Sequence, residues 1–238
     1  MIAGGPSPIG HPRADPGTID WLLRTTRTVR RRLDLDRAVD LGVVRDCLEL
    51  ALQAPSGGAL EGWRWVVITD PAVKTGVRDL YLESHRAASG GRRPETTETA
   101  DDRMLDGAWH LATHLDRVPV LVVACILGRL TPDSSPAQVG ALMASIYPAV
   151  WSLQLALRSR GLASALTTVH LERHEAMATL LGIPPGVTQA ALIPVAHLLD
   201  GDLRPARRKP LAEVAYLDHW GKAWVVNDPS GSASAGPS

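Results

Sequence analysis

Apolar side chains recur every three or four positions between residues 137 and 160: Val139, Leu142, Met143, Ile146, Val150, Leu153 and Leu157. This period predicts one long helix with a core-facing stripe. Pro148 falls inside it and should kink the helix or remove one of its hydrogen bonds. Ile146, Tyr147, Ala149, Trp151 and Ala156 widen the apolar face beyond one side, as in a helix buried on two sides, for example within a dimer core. A second stripe, Val43, Val44, Leu48, Ala51 and Leu52, predicts a helix over about 41–53. It is followed by the β-branched run Trp65-Val66-Val67-Ile68, a strand ending at Asp70-Pro71. Pro71 opens a helix to about Leu82, and further helices are expected over about 103–115 and 171–181. Residues 118–125 predict a fully buried strand, and 163–168 and 190–198 two more. Thr18 is the expected N-cap of a short first helix through Ile19, Trp21, Leu22 and Leu23. Residues 84–102 are polar and Gly-rich, either a mobile lid or a disordered insertion. Residues 1–16 and 226–238 are expected to be flexible tails around a single domain, 17–225. No repeat of 20–50 residues is present.

Composition narrows the function. The 238 residues suit one domain or a large α/β unit, and 45% hydrophobic content is ample for a core. A net charge of zero argues against general electrostatic binding of nucleic acid, though not against a local basic patch. No apolar run reaches the ~18 residues of a membrane span, and the N-terminus lacks the pattern of a signal peptide. The expectation is a cytoplasmic protein without a membrane partner. Cys47, in a helical stripe, and Cys125, ending an apolar strand, are expected to be buried thiols.

Two segments carry candidate chemistry. Ala54-Pro55-Ser56-Gly57-Gly58-Ala59-Leu60-Glu61-Gly62-Trp63 joins the 41–53 helix to the strand after it. A loop of this kind exposes backbone N–H groups and allows close approach to a flat ligand, or it is an ordinary connector. Upstream, Arg24-Thr25-Thr26-Arg27-Thr28-Val29-Arg30-Arg31-Arg32 holds five arginines in nine residues. If extended, it points Arg27 and Arg31 one way and Arg30 and Arg32 the other. One set would meet a ligand, where guanidinium pairs with phosphate oxygens, or the whole row is a solvated face.

The Thr-Arg-Thr-x-Arg core, followed by Ala-Pro-Ser-Gly-Gly and a Trp, resembles the nitroreductase family of FMN enzymes. The resemblance continues through Arg160-Gly161-Leu162-Ala163-Ser164-Ala165, Leu181-Gly182-Ile183-Pro184, the strand from Ala190 to Ala196, and Arg208-Lys209-Pro210-Leu211-Ala212-Glu213-Val214, over roughly 18–221. It implies an α+β fold, a mostly antiparallel sheet of four or five strands surrounded by helices, in an entwined homodimer with two FMN sites. It places Arg27 and Thr28 at the FMN phosphate or ribityl end, with Arg208, or its neighbour Arg207 or Lys209, as a second phosphate contact. Arg30 would lie at the pyrimidine edge, where a fixed cation stabilises charge on the reduced ring. Pro55, Ser56, Gly57 and Ala59 would approach from the partner subunit, and Leu166, Thr167 and Thr168 would pass under the N5 edge. The implied reaction is ping-pong: NADH or NADPH reduces the flavin, which then reduces an electron-poor acceptor such as a nitro compound or quinone, with no catalytic side chain. The chain departs from the family pattern at Ala59, where an Asn is usual, at Glu61 and Gly62 in place of Gln and Pro, and at Thr26 in place of the first arginine. Glu61 either pairs with an arginine or faces solvent. The departures leave open a specialised flavin reaction on the same fold, or a protein that only binds or stores FMN.

Rival chemistries are weaker. His110 and His114, and His170 and His174, have i, i+4 spacing, but neither pair has the Glu of a zinc-protease motif or a recognisable third ligand. No Gly-x-Ser-x-Gly elbow and no Gly-x-Gly-x-x-Gly turn are present.

Overall fold

The computed structural model describes residues 14–89 and 96–224. The chain divides into two units, residues 1–204 and 205–238. Among its described residues the first unit holds five strands and six α-helices. In chain order these are α1 (Pro16–Thr25), β1 (Leu33–Asp34), α2 (Leu41–Ala51), β2 (Trp63–Ile68), α3 (Pro71–Ser89), α4 (Ala100–His114), β3 (Val120–Leu127), α5 (Pro136–Ser159), β4 (Leu162–Ser164), α6 (His174–Leu181) and β5 (Val187–Leu198). The sheet runs β1-β5-β3-β2, with β4 also paired to β5, and every pairing is antiparallel. This is the α+β architecture, with a mostly antiparallel sheet, that the family resemblance implied.

β3 shows why both faces of the sheet are covered. Val120, Val122, Ala124 and Ile126 point into a core shared with Val44 and Cys47 of α2 and Ile146, Val150 and Leu153 of α5. Leu121, Val123 and Cys125 point into the opposite core, with Val77 and Tyr81 of α3, Leu111 of α4 and Met177 of α6. A strand buried on both sides reads as a continuous apolar run, so period-2 alternation is absent from its sequence. Cys47 and Cys125 are free, buried thiols, and burial pushes the Cys125 thiol up to about 12.

Element ends follow their caps. Asp15, not Thr18, caps α1, accepting from the N–H groups of Gly17 and Thr18. α3 extends to Ser89, so residues 84–89 are helix rather than loop. Thr99 and Asp102 form a reciprocal capping box that starts α4 inside the expected lid segment. Of that segment, residues 90–95 lie outside the described residues, as do residues 1–13 and 225–238 of the tails. The expected 163–168 strand shortens to β4, and the expected 171–181 helix divides into a 3-10 turn, Val169–Arg173, and α6.

α5 continues through Pro148, starting from its own capping box of Ser135 and Gln138. Among the described residues it is the one helix that by length and composition could cross a bilayer. Ile146, Ala149, Val150, Leu153 and Leu157 instead fill the core beneath the sheet, while Val139 and Trp151 are exposed. In the second unit, a short turn Leu211–Glu213 precedes a bridge between Tyr216 and Ala223, and the rings of Tyr216 and Trp220 lie 5.0 Å apart.

Candidate functional site

The arginine segment leaves α1 and runs beside β4. Thr28 forms a parallel bridge with Ser164, and the Val29 N–H donates to the Ser164 carbonyl at 2.9 Å. Ser164 is itself held by the Gln154 amide of α5 at 3.2 Å, a contact with no sequence signal. The chain then turns over residues 30–32 before entering β1, so the expected extended alternation of the arginines fails. Arg27 donates to the Arg204 carbonyl at 2.8 Å. Arg31 pairs with the buried Asp106 of α4, its Nη2 lying 3.1 Å from Oδ1. Arg32 pairs with Asp200 at 2.8 Å. Arg30 has no acidic partner among the described residues. It is half-buried, its stem lies against Gly107 of α4, and its charge acts on Tyr81 of α3.

Tyr81 connects this cation to the segment after β4. Its hydroxyl and that of Thr167 share a buried hydrogen bond of 2.8 Å. Burial pushes the phenol up, opposed by the bond to Thr167 and by Arg30. Tyr81 falls in the inward stripe of α3 with Val73 and Val77, and its polar tip at a core position was the one clue to it. Around Thr167 the chain is extended enough for donors to alternate. The N–H groups of Ala165 and Thr167 donate to the carbonyls of Pro194 and Leu192, whereas those of Leu166 and Thr168 have no acceptor among the described residues. A half-buried Arg and two spare backbone donors therefore share one neighbourhood. All are donors, a set suited to an acceptor-rich or anionic ligand.

The Pro55–Ala59 loop is placed elsewhere on the same subunit. The Gly57 N–H donates to Ser145 Oγ of α5 at 2.9 Å, and the Trp63 indole to the Ser145 carbonyl at 2.7 Å. Ser145 and Gln154 lie nine residues apart on α5, so the two anchor points are separated by ~13 Å along the axis. The structure seats Thr28 on Ser164, just before Leu166–Thr168, and links Arg30 to Thr167 through Tyr81, while Arg27 reaches the Arg204 carbonyl; among the described residues no contact joins Pro55, Ser56, Gly57 or Ala59 to them. Gly58, Ala59 and Glu61 all have left-handed φ, at 61°, 54° and 45°. The Glu61 side chain is exposed and makes no ion pair among the described residues; its N–H donates to Ser56 Oγ at 3.3 Å. Arg208 is an exposed residue of the second unit. Of the histidine pairs, His110 and His114 stack at 4.4 Å, while His170 is buried and His174 exposed.

The sequence model of the nitroreductase family matches residues 23–197. The chain belongs to this family. The matched range starts just ahead of the arginine segment and ends in β5, enclosing the whole donor cluster. Among curated relatives, an iodotyrosine deiodinase of Drosophila melanogaster is 29% identical over 201 residues, 81% of this chain and 67% of that protein. One from Haliscomenobacter hydrossis is 27% identical, over 79% of this chain and 83% of that protein. A crystal structure of oxidized iodotyrosine deiodinase bound to FMN and 3-iodo-L-tyrosine superposes with a TM-score of 0.64 at 21% identity, covering 84% of this chain and all of that one. A nitroreductase-like protein from Bacillus cereus superposes at 0.62 with 18% identity, over 84% of this chain and 95% of that one.

Proposed function

We propose that the chain is an FMN-dependent oxidoreductase that takes electrons from NADH or NADPH and reduces a small electron-poor aromatic acceptor. The observation that carries this reading is the seating of the arginine segment on Ser164, with Arg30, which has no acidic partner among the described residues, linked through Tyr81 and Thr167 to the spare donors of Leu166 and Thr168. The donor-only set fits FMN, whose phosphate, pyrimidine carbonyls and N5 are all acceptors. When bound, the flavin supplies hydride or electron transfer at N5. Arg30 holds a fixed positive charge where the pyrimidine edge would lie and favours the form carrying more negative charge. The N–H groups of Leu166 and Thr168 orient the N5 edge, and the Tyr81–Thr167 bond keeps that segment from shifting. Arg27 and Thr28 would hold the phosphate end. The Pro55–Ala59 loop, ~13 Å away along α5, would serve the site of a second copy in a homodimer.

A second reading has specific support. The relatives named above are deiodinases, and Ala59 and Glu61 depart from the nitroreductase loop pattern. In reductive dehalogenation an aryl C–I bond breaks and a C–H bond forms, consuming two electrons and one proton and releasing iodide.

The decisive measurement is the absorption spectrum of the protein with FMN, followed by anaerobic NADPH or NADH. A flavin spectrum that bleaches with either nucleotide supports the reductase. A colourless protein after incubation with FMN and gel filtration overturns the site. Dithionite-reduced protein mixed anaerobically with a nitroarene or with 3-iodotyrosine then separates the readings, by which compound reoxidises the flavin.

A further inference from the structure

Apart from the flavin-type site, the first unit contains a groove of about 910 Å³ between α6, the start of β5 and the chain leaving β3. That volume suits a small organic ligand. Leu130, Met143, Leu171, Ile183, Pro184 and Val187 make its wall apolar. Arg129 and Glu175 lie at it with opposite charges, so the lining does not favour an anion over a cation.

One polar group in the lining is unusual. Gln189 is 7% exposed, and its Nε2 donates to the His174 carbonyl at 2.7 Å. A carbonyl only accepts, so this bond fixes the amide orientation. Its Oε1 is buried without a hydrogen-bond partner among the described residues. An acceptor left unsatisfied in this way is unfavourable, and a donor that reaches it is favoured.

The backbone shows how Gln189 comes to face the groove. In the β3–β5 ladder Ala124 pairs with Ala191 but Cys125 pairs with Gln189, so Ala190 is an inserted bulge residue. Ala190, Ala191 and Ile193 all belong to the core of α2 and α5, whereas Leu192 and Val187 belong to the opposite core. Strict alternation from Ile193 and Ala191 would send residue 189 to the α5 side. The bulge resets the parity and directs it toward α6. Bulges re-aim side chains in this way beside binding sites.

We infer that this groove binds a neutral aromatic molecule carrying one N–H or O–H donor, received by Gln189 Oε1. The apolar walls take the ring, the balanced charges select no ion, and the orphaned acceptor takes the one polar hydrogen. This site is independent of whether the protein reduces anything.

The test uses the full chain with p-cresol and indole as probes, and toluene and indene as matched rings without the donor, followed by NMR shifts of the protein amides. The expected result is binding of each donor probe about tenfold tighter than its matched ring, with shifts at α6 and residues 187–189. Gln189→Leu should abolish that preference. Because this change also removes the bond to His174, Ala178→Leu provides a second check: it fills the groove from α6 without touching the amide and should abolish binding of all four probes. Equal affinity for donor and donor-free probes overturns the inference. So does the absence of binding, whether the groove is closed or covered by a second copy, or binding that survives Ala178→Leu.

Discussion

Arg30 and Arg31 are adjacent in the chain and have different surroundings. Arg31 is neutralised by Asp106, while Arg30 lies against Gly107, acts on Tyr81 through its charge and has no acidic partner among the described residues. If Arg30 tunes a flavin, Arg30→Gln should lower the flavin midpoint potential, while Arg27→Ala should weaken FMN retention more than it moves the potential. Dye equilibration and equilibrium dialysis of both variants check this, and a potential in Arg30→Gln at or above wild type would show that the charge does not tune the ring. His170 offers a test of stability. Burial lowers its pKa to about 4 from an ordinary 6.5, with the nearby His174 adding to the effect, and neither ring nitrogen has a hydrogen-bond partner among the described residues. Above pH 6.5 the ring is neutral in folded and unfolded chains alike. Between pH 6.5 and 4 only the unfolded chain takes up the proton, so stability falls as pH drops, by about 3 kcal/mol over that window. Urea unfolding of wild type and His170→Leu at pH 7 and pH 4.5 should show a markedly smaller fall in the variant. Some slope should remain, because burial shifts His85 and His110 in the same direction.

At the scale of elements, the loop after α2 combines local strain with a departure from its family. Ala59 has φ 54°, a region that costs a residue with a Cβ roughly 1–2 kcal/mol, whereas Asn tolerates it through local hydrogen bonding. Ala59→Asn should therefore raise stability by about 0.5–1 kcal/mol and also restore the family's amide toward the flavin. Thermal unfolding reads the first effect and FMN retention the second. A gain in stability without a gain in retention would mean that the loop does not reach a flavin. The elements differ in how openly the sequence displays them. The stripe from Val139 to Leu157 predicted α5 to within a residue at each end, because its apolar period is undisturbed even at Pro148. The expected alternation of arginines failed because nothing in a run of arginines marks the turn at 30–32. The bulge at Ala190 was invisible because the small, apolar Ala190 and Ala191 read the same on either face of a strand. The donors at Leu166 and Thr168 are backbone groups, whose availability depends on what pairs with Ala165 and Thr167. Tyr81 and Asp106 act through partners 86 and 75 positions distant in the chain, beyond the reach of local pattern.

For the whole molecule, one property follows from the place of β5 in the sheet. Among the described residues it is the last strand and pairs with β1, β3 and β4; without it, β2–β3 is the one strand pairing left among them. During synthesis the ribosome must therefore complete residue 198 before the sheet can close. Until then both apolar faces of β3 lie open, and contacts this distant in sequence form slowly. A chain ending at Gly186 should be insoluble or lack cooperative unfolding, whereas one ending at Arg204 keeps every strand and should unfold in a single transition by circular dichroism. A premature stop late in the reading frame, even one that spares almost four-fifths of the residues, would thus remove the centre of the protein rather than its periphery.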